Sequence, residues 1–359
     1  MAAIAALLHD VGHGLLSHVF EGVQRVLRKP RSHEDWTREI IQGDTEIHKL
    51  LDEHDSDLAS DVARVIGRKD PADIFDGVVS SQFDADRLDY LQRDRYMAGT
   101  HTGGFDFSWL LDCLEVGQIN IGLEDEYVEV DGLYLNHKGL APAEGYVLAR
   151  FHLYSQVYLH KTTRSAERML AALLYRVADL FKNELHDSTG LRDHQPISQF
   201  FQQEKPNLQS YLAPDDPAIW SALVHLSEAK DELVRTFALG LLYRRLYKCL
   251  DIGEIAKQHG SDAVAHFKRR LQEEFGARIG DNMLKDEATL TAYGVHQYED
   301  PSAFQKVLIG RPDASGKSDD LAERSEIVKS IRPQRIFRVY CSDGAELQEV
   351  EQLWKEVIK

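Results

Sequence analysis

Three cysteines are all that 359 residues contain: Cys113, Cys249 and Cys341, far apart and without Cys-x-x-Cys spacing. That scarcity argues against disulfide staples and a thiolate zinc site, and it fits a reducing compartment. Basic residues are also in the minority, 42 Lys and Arg against 59 Asp and Glu, for a formal charge of −17. Such a balance argues against nucleic acid as a main partner, while leaving room for a small anion held by a few local cations. No apolar run approaches the ~20 residues that span a bilayer. The apolar opening, MAAIAALL, lacks the basic flank of a secretory signal and runs straight into a charged His-Asp pair. A cytoplasmic protein with no membrane partner is expected. P-loop, Gly-x-Ser-x-Gly and Cys–His nucleophile patterns are missing as well, and there is no internal repeat.

What is present is mostly helical. Apolar positions recur at three- and four-residue spacings over 2–27, 45–67, 71–97 and 142–185. Between the last two, 118–135 alternates apolar and polar residues around an acidic turn and an Asp-Gly, which predicts two or three short strands. The Pro-, Gln-, Ser- and Asp-rich stretch 188–217 reads as a loop or short-helix excursion, and 310–324 reads as mobile. Towards the end RRLYKCLDI and RIFRVYC read as strands, with helices near 261–277 and 344–358. The expected fold is mainly α: a helical core over 1–185 with a short inserted β-hairpin, a helical extension over 186–240, and a smaller α+β region over 241–359.

Chemistry-bearing residues gather in four stretches. In LLHDVGHGLLSH (7–18), His9 and His13 stand four apart, which on a helix is one face, and Asp10 follows His9 directly. Imidazole plus carboxylate suits a divalent ion of hydrolytic enzymes. RSHEDW (31–36) sets His33 beside Glu34. In SSQFDADRLDYLQRDRY (80–96), helical spacing lines up Asp86, Asp89, Tyr90, Arg93 and Asp94, with Phe83, Leu88 and Leu91 left to face a core. Arg87 and Arg93 add phosphate-type donors to an acidic chain. ARFHLYSQVYLHKTTR (149–164) aligns Arg150, Tyr154, Tyr158 and Lys161. Any one stretch also fits an ordinary packed or solvated helix; their order and combination point to a single site.

That ordered set, HDVGHGLLSH, then His33-Glu34, then DADRLDYLQRD, then QVYLHKTTR, resembles the HD-domain phosphohydrolases, and within them the deoxynucleoside triphosphate triphosphohydrolases, over about residues 5–170. The resemblance implies a helical HD core and a divalent metal ion (Mn, Mg, Fe, Ni or Zn) held by His9, Asp10 and Asp86. It implies active-site roles for His13, His18 and His33, with His18 the foremost candidate to protonate the leaving oxygen. Arg87, Tyr90, Arg150 and Lys161 would meet phosphate oxygens of a dNTP, and Asp94 and Tyr158 would read the deoxyribose. A homo-oligomer is implied too. In one respect the chain departs from the pattern: the family's further histidine ligand, in an Arg-x-x-His helix before the His-Asp pair, has no place in a sequence whose pair sits at 9–10. The expectation is a truncated frame, or His33 or His48 standing in. Alternatives to dNTP hydrolysis are another nucleotide phosphoester or a nucleotide-binding scaffold with a degenerate site.

Overall fold

The computed structural model describes residues 1–28, 30–68, 71–121, 128–253, 259–293, 303–311 and 318–359, except for the side chain of His18. They form two compact units, each assembled from separated stretches. The first takes 1–12, 37–159 and 290–334; the second takes 13–36, 160–289 and 335–359. This partition differs from three consecutive domains because helices far apart in sequence share each core.

In the first unit, the helix Ala2–Leu8 packs on Leu58–Ile66 and Ile74–Val79. Ala5, Ile41, Ala59, Val62 and Val65 are buried between them. The helical periodicity over 2–27 is divided between two helices. The first stops at Leu8, residues 9–17 are turn and coil, and a new helix runs His18–Val26. Gly12 and Gly14 are poor helix formers, and Leu16 and Ser17 take φ of 54° and 51°, which no right-handed helix accommodates. The turn is stitched instead to a neighbouring helix: Gly12 N–H donates to Thr37 Oγ1 at 3.0 Å, and that hydroxyl donates to His9 O at 3.0 Å.

A second core in this unit sits between the helices Ala85–Met97 and Leu140–Leu153, where Leu88, Leu91, Tyr146, Val147 and Leu153 are buried with Tyr293, Val307 and Leu321. Asp84 starts the first of these helices by accepting from Arg87 N–H at 2.8 Å. Two expected strands form as an antiparallel pair, Leu114–Ile121 with Val128–Leu135, in a register that sets Leu114 opposite Leu135. The acidic turn between them lies outside the described residues. Leu135 also pairs in parallel with Ile309, whose strand Leu308–Ile309 pairs with Asp319–Asp320. Part of the stretch expected to be mobile is therefore built in: Leu321 is fully buried, and Tyr293 Oη donates to Asp320 Oδ1 at 2.8 Å. Residues 312–317 lie outside the described set.

The second unit is organised on the helix Lys161–Lys182, which packs on His18–Val26 and Glu232–Leu242. Phe20, Val23, Met169, Leu173, Val177 and Phe237 fill the space between them. Short helices Pro196–Gln202 and Leu208–Leu212 occupy the expected excursion. The α+β part is a three-stranded sheet with Gln334–Cys341 between Lys248–Asp251 and Met283–Leu290, covered by the helices Gly260–Phe275 and Gly344–Val357. The strand Met283–Leu290 goes unread in the sequence because Lys285, Asp286 and Glu287 interrupt any apolar alternation. Asp286 is nevertheless buried, paired with Arg164. No described helix is long and apolar enough to cross a membrane.

Candidate active site

In the first unit, His9 caps the end of Ala2–Leu8. Its Nδ1 lies 2.8 Å from Ala6 O. A carbonyl only accepts, so Nδ1 carries the proton and Nε2 presents a lone pair in the neutral ring. That Nε2 faces Asp10 Oδ1 at 3.3 Å and Asp86 Oδ1 at 3.8 Å, and all three donor atoms lie within 4.8 Å of one another. Donor atoms gathered this closely are the arrangement that a shared cation stabilises. One imidazole and two carboxylates therefore fit a divalent ion of the kind that HD domains bind. Burial raises the Asp86 carboxyl above its ordinary pKa against the opposing pull of His9, and the carboxylates of Asp10, Asp89 and Asp94 add to the rise. His9 and His13 share no helix face, because the helix ends before either. His48 makes a hydrogen bond with Ile41 O through Nδ1 at 3.0 Å and is not in the donor group.

Along the helices Ala85–Met97, which carries Asp86, and Leu140–Leu153, the same unit carries arginines and tyrosines. The Arg87 guanidinium is held by the Asp84 carboxylate and by Ser81 O. Arg93 makes a two-point pair with Asp89 on the surface, 2.9 Å at each contact, which is the ordinary solvated-helix role. Arg150 is buried, and its Nη1 donates to Gln82 Oε1 at 3.0 Å. After Leu153 the helix widens into a π-turn, Tyr154–Tyr158, a feature frequent at functional sites. It sets the Tyr154 ring 5.7 Å from the Arg150 guanidinium and edge-on to Tyr158 at 5.0 Å. Tyr158 Oη donates to Asp94 at 2.6 Å, and Tyr90 meets the Tyr158 ring edge-on at 6.2 Å. Burial pushes the Tyr90 and Tyr158 hydroxyls up, and the Asp94 carboxylate adds to the rise at Tyr158, so both are O–H donors at neutral pH. The line expected from Arg150 to Lys161 breaks at residues 159–160. Lys161 is exposed and opens the next helix, in the second unit.

The second unit holds the remaining candidates. His13 and His33 stack with ring centroids 3.9 Å apart and planes 16° off parallel. His18 begins the helix His18–Val26; its side chain is outside the described residues. His33 Nδ1 lies 2.6 Å from Glu21 Oε1, its backbone N–H donates to the same oxygen at 3.3 Å, and its Nε2 lies 3.3 Å from Glu34 Oε1. Sequence reasoning missed Glu21 and Gln82. Glu21 stands three residues after His18, a helical spacing that offered a hint; nothing in the spacing of Gln82 marked it.

Comparison with known proteins adds the following. Residues 1–92 match the HD domain family model, and residues 124–208 match that of the HD associated region. The chain is 30 % identical over 333 residues to the uncharacterised protein YwfO of Bacillus subtilis, covering 92 % of this chain and 70 % of that protein. It is 26 % identical over 368 residues to the SAMHD1 homologue of Dictyostelium discoideum, named a deoxynucleoside triphosphate triphosphohydrolase. That match covers 99 % of this chain and 64 % of the relative, so the chain spans just under two thirds of the relative's length. Among solved structures, a phosphohydrolase from Bacteroides thetaiotaomicron superposes with a TM-score of 0.68 at 24 % identity, over 95 % of this chain and 79 % of that one. A hypothetical protein from Aquifex aeolicus does so with 0.68 at 23 % identity, over 99 % and 78 %. At these identities the likeness is one of fold.

Proposed function

The chain belongs to the HD-domain phosphohydrolase superfamily, and on that premise we propose that it hydrolyses deoxynucleoside triphosphates to deoxynucleoside and tripolyphosphate. The observation that carries this reading is the placement of Asp86 and Asp94 on one helix. Asp86 belongs to the cation-type donor group, and Asp94 accepts from Tyr158 within a patch of tyrosines and arginine. Phosphate chemistry and sugar recognition then share one rigid element.

A divalent ion, when bound, neutralises phosphoryl charge and lowers the pKa of water towards ~7. His9, Asp10 and Asp86 would hold it. Water adds to the α-phosphorus, the bond from phosphorus to O5′ breaks, and the departing alkoxide takes a proton. His13, His18 and His33 are the candidates to supply that proton, a contribution of about 10²–10⁴-fold. Arg87, Arg150, Lys161 and the Tyr90 hydroxyl are assigned to the triphosphate oxygens, fixing the chain of phosphates for in-line attack without a protein nucleophile. Asp94 accepts from the sugar 3′-hydroxyl, and the Tyr158 ring closes the space beside C2′.

Incubation of the purified chain with each dNTP and NTP in Mn²⁺ or Mg²⁺, with products resolved by anion exchange, tests this. Tripolyphosphate from dNTPs, lost in Asp86→Ala, is expected. Release of inorganic phosphate or pyrophosphate, or equal turnover by Asp86→Ala, would move the assignment to another phosphoester or to a binding role. The same reading carries a homo-oligomeric state and a cytoplasmic location, which sedimentation and cell fractionation check.

A further inference from the structure

Arg150 lies inside the first unit, 7 % exposed, in the last turn of the helix Leu140–Leu153. Two other arginines drawn in from solvent in this protein are paired with carboxylates. Arg87 is neutralised by Asp84, and Arg164 by Asp286. Around Arg150 the described neighbours are neutral. Gln82 accepts from its Nη1 at 3.0 Å, Tyr154 pairs with it through the phenol oxygen while its ring centroid lies 5.7 Å from the guanidinium, and Tyr146 and Tyr90 are the further groups that act on it most, all of them neutral hydroxyls. Its Nε is buried and makes no hydrogen bond among the described residues. A guanidinium offers five N–H donors, and a buried cation without a counter-charge is unfavourable unless a ligand provides one. This chain has 59 acidic residues, yet among the described residues no carboxylate forms an ion pair with Arg150 or figures among the groups that act on it most.

Gln82 is held firmly. Its backbone N–H donates to Phe304 O at 3.0 Å, its carbonyl accepts from Tyr146 Oη at 2.7 Å, and it is 8 % exposed. Because arginine only donates, the amide oxygen is the atom turned to Arg150. An amide and a carboxylate have nearly the same shape, so a glutamate here would make the same hydrogen bond and cancel the charge. We propose that Gln82 is a positioning residue that aims the Arg150 guanidinium without neutralising it, reserving that charge for a phosphate oxygen of a polyanionic ligand. The identity of the ligand as a nucleoside triphosphate rests on the function proposed above; the anion preference does not.

Binding of tripolyphosphate to the full chain in chelator at neutral pH, read by calorimetry and by thermal unfolding, tests this apart from catalysis. Gln82→Glu is expected to weaken binding by about tenfold or more while the unfolding temperature without the anion holds or rises. Arg150→Gln is expected to lose binding at least as far. Gln82→Met, neutral but unable to accept, should weaken binding less than Gln82→Glu, which separates loss of aim from loss of charge and serves if the glutamate variant fails to fold. Binding by Gln82→Glu or by Arg150→Gln that matches the parent overturns the proposal, as does a methionine variant as impaired as the glutamate one. If the parent binds tripolyphosphate but releases none from any dNTP, the proposed substrate falls and this inference stands. With a dNTP that is turned over, Gln82→Glu should raise KM more than it lowers kcat.

Discussion

Glu21 Oε1 lies 2.6 Å from His33 Nδ1 and also accepts the His33 backbone N–H, so one carboxylate fixes both the ring and the start of the helix His33–Gln42. A carboxylate at Nδ1 sets the tautomer and orientation of an imidazole that exchanges protons through its other nitrogen. Glu21→Gln, which keeps the shape, should lower turnover about 10²-fold and move the pH–rate profile, with the unfolding midpoint little changed. A variant with parental kcat across the pH range would reduce Glu21 to a capping role.

Asp86 yields a prediction about stability. Its folded pKa is raised by burial, with neighbouring carboxylates adding to the rise. The folded state therefore holds its proton more tightly than the unfolded chain does. The associated stability is present below the ordinary carboxylate range and is lost as pH rises through the raised value. In chelator at neutral pH, Asp86→Asn should unfold at a higher temperature than the parent, and the difference should vanish in acid. Adding Mn²⁺ should reverse the order, because the parent's carboxylate is a ligand and the amide is a poorer one. Thermal unfolding against pH and metal checks both, and a parent that stays the more stable in chelator would contradict the account.

Sugar discrimination should follow the Tyr158 ring more than its hydroxyl. Tyr158→Phe keeps the ring and loses the 2.6 Å bond to Asp94, so it should weaken dNTP turnover while still rejecting NTPs. Tyr158→Ala should raise the NTP to dNTP ratio of kcat/KM by about tenfold. An unchanged ratio in the alanine variant would remove Tyr158 from the sugar site.

Asp84 is 2 % exposed, caps the helix that carries Asp86, Tyr90 and Asp94, and neutralises Arg87. Asp84→Ala removes the cap and strands a half-buried guanidinium, which should destabilise the fold by about 2 kcal/mol or more. Urea unfolding measures it; a change under about 0.5 kcal/mol would show that Arg87 finds another partner.

Much of this was legible in the residues themselves. The pair His9-Asp10, the polar line Asp86 to Asp94 and the aromatic-basic run 150–158 are local patterns. The hairpin strands, the C-terminal helices and the burial of Phe83, Leu88 and Leu91 follow from period and propensity, which act over a few residues. What the sequence did not determine is where local patterns yield to distant partners. The first helix stops at Leu8 because Thr37 draws the turn away with two hydrogen bonds. Asp286 can lie buried in the strand Met283–Leu290 because Arg164, on the helix Lys161–Lys182, neutralises it. Gln82 acquires its meaning from an arginine 68 residues away, and Glu21 from a histidine beyond a loop. The sequence decides which groups the chain carries and which short segments coil or extend. Which carboxylate is spent on an arginine, and which arginine keeps its charge, depends on contacts that exist only after the chain has folded.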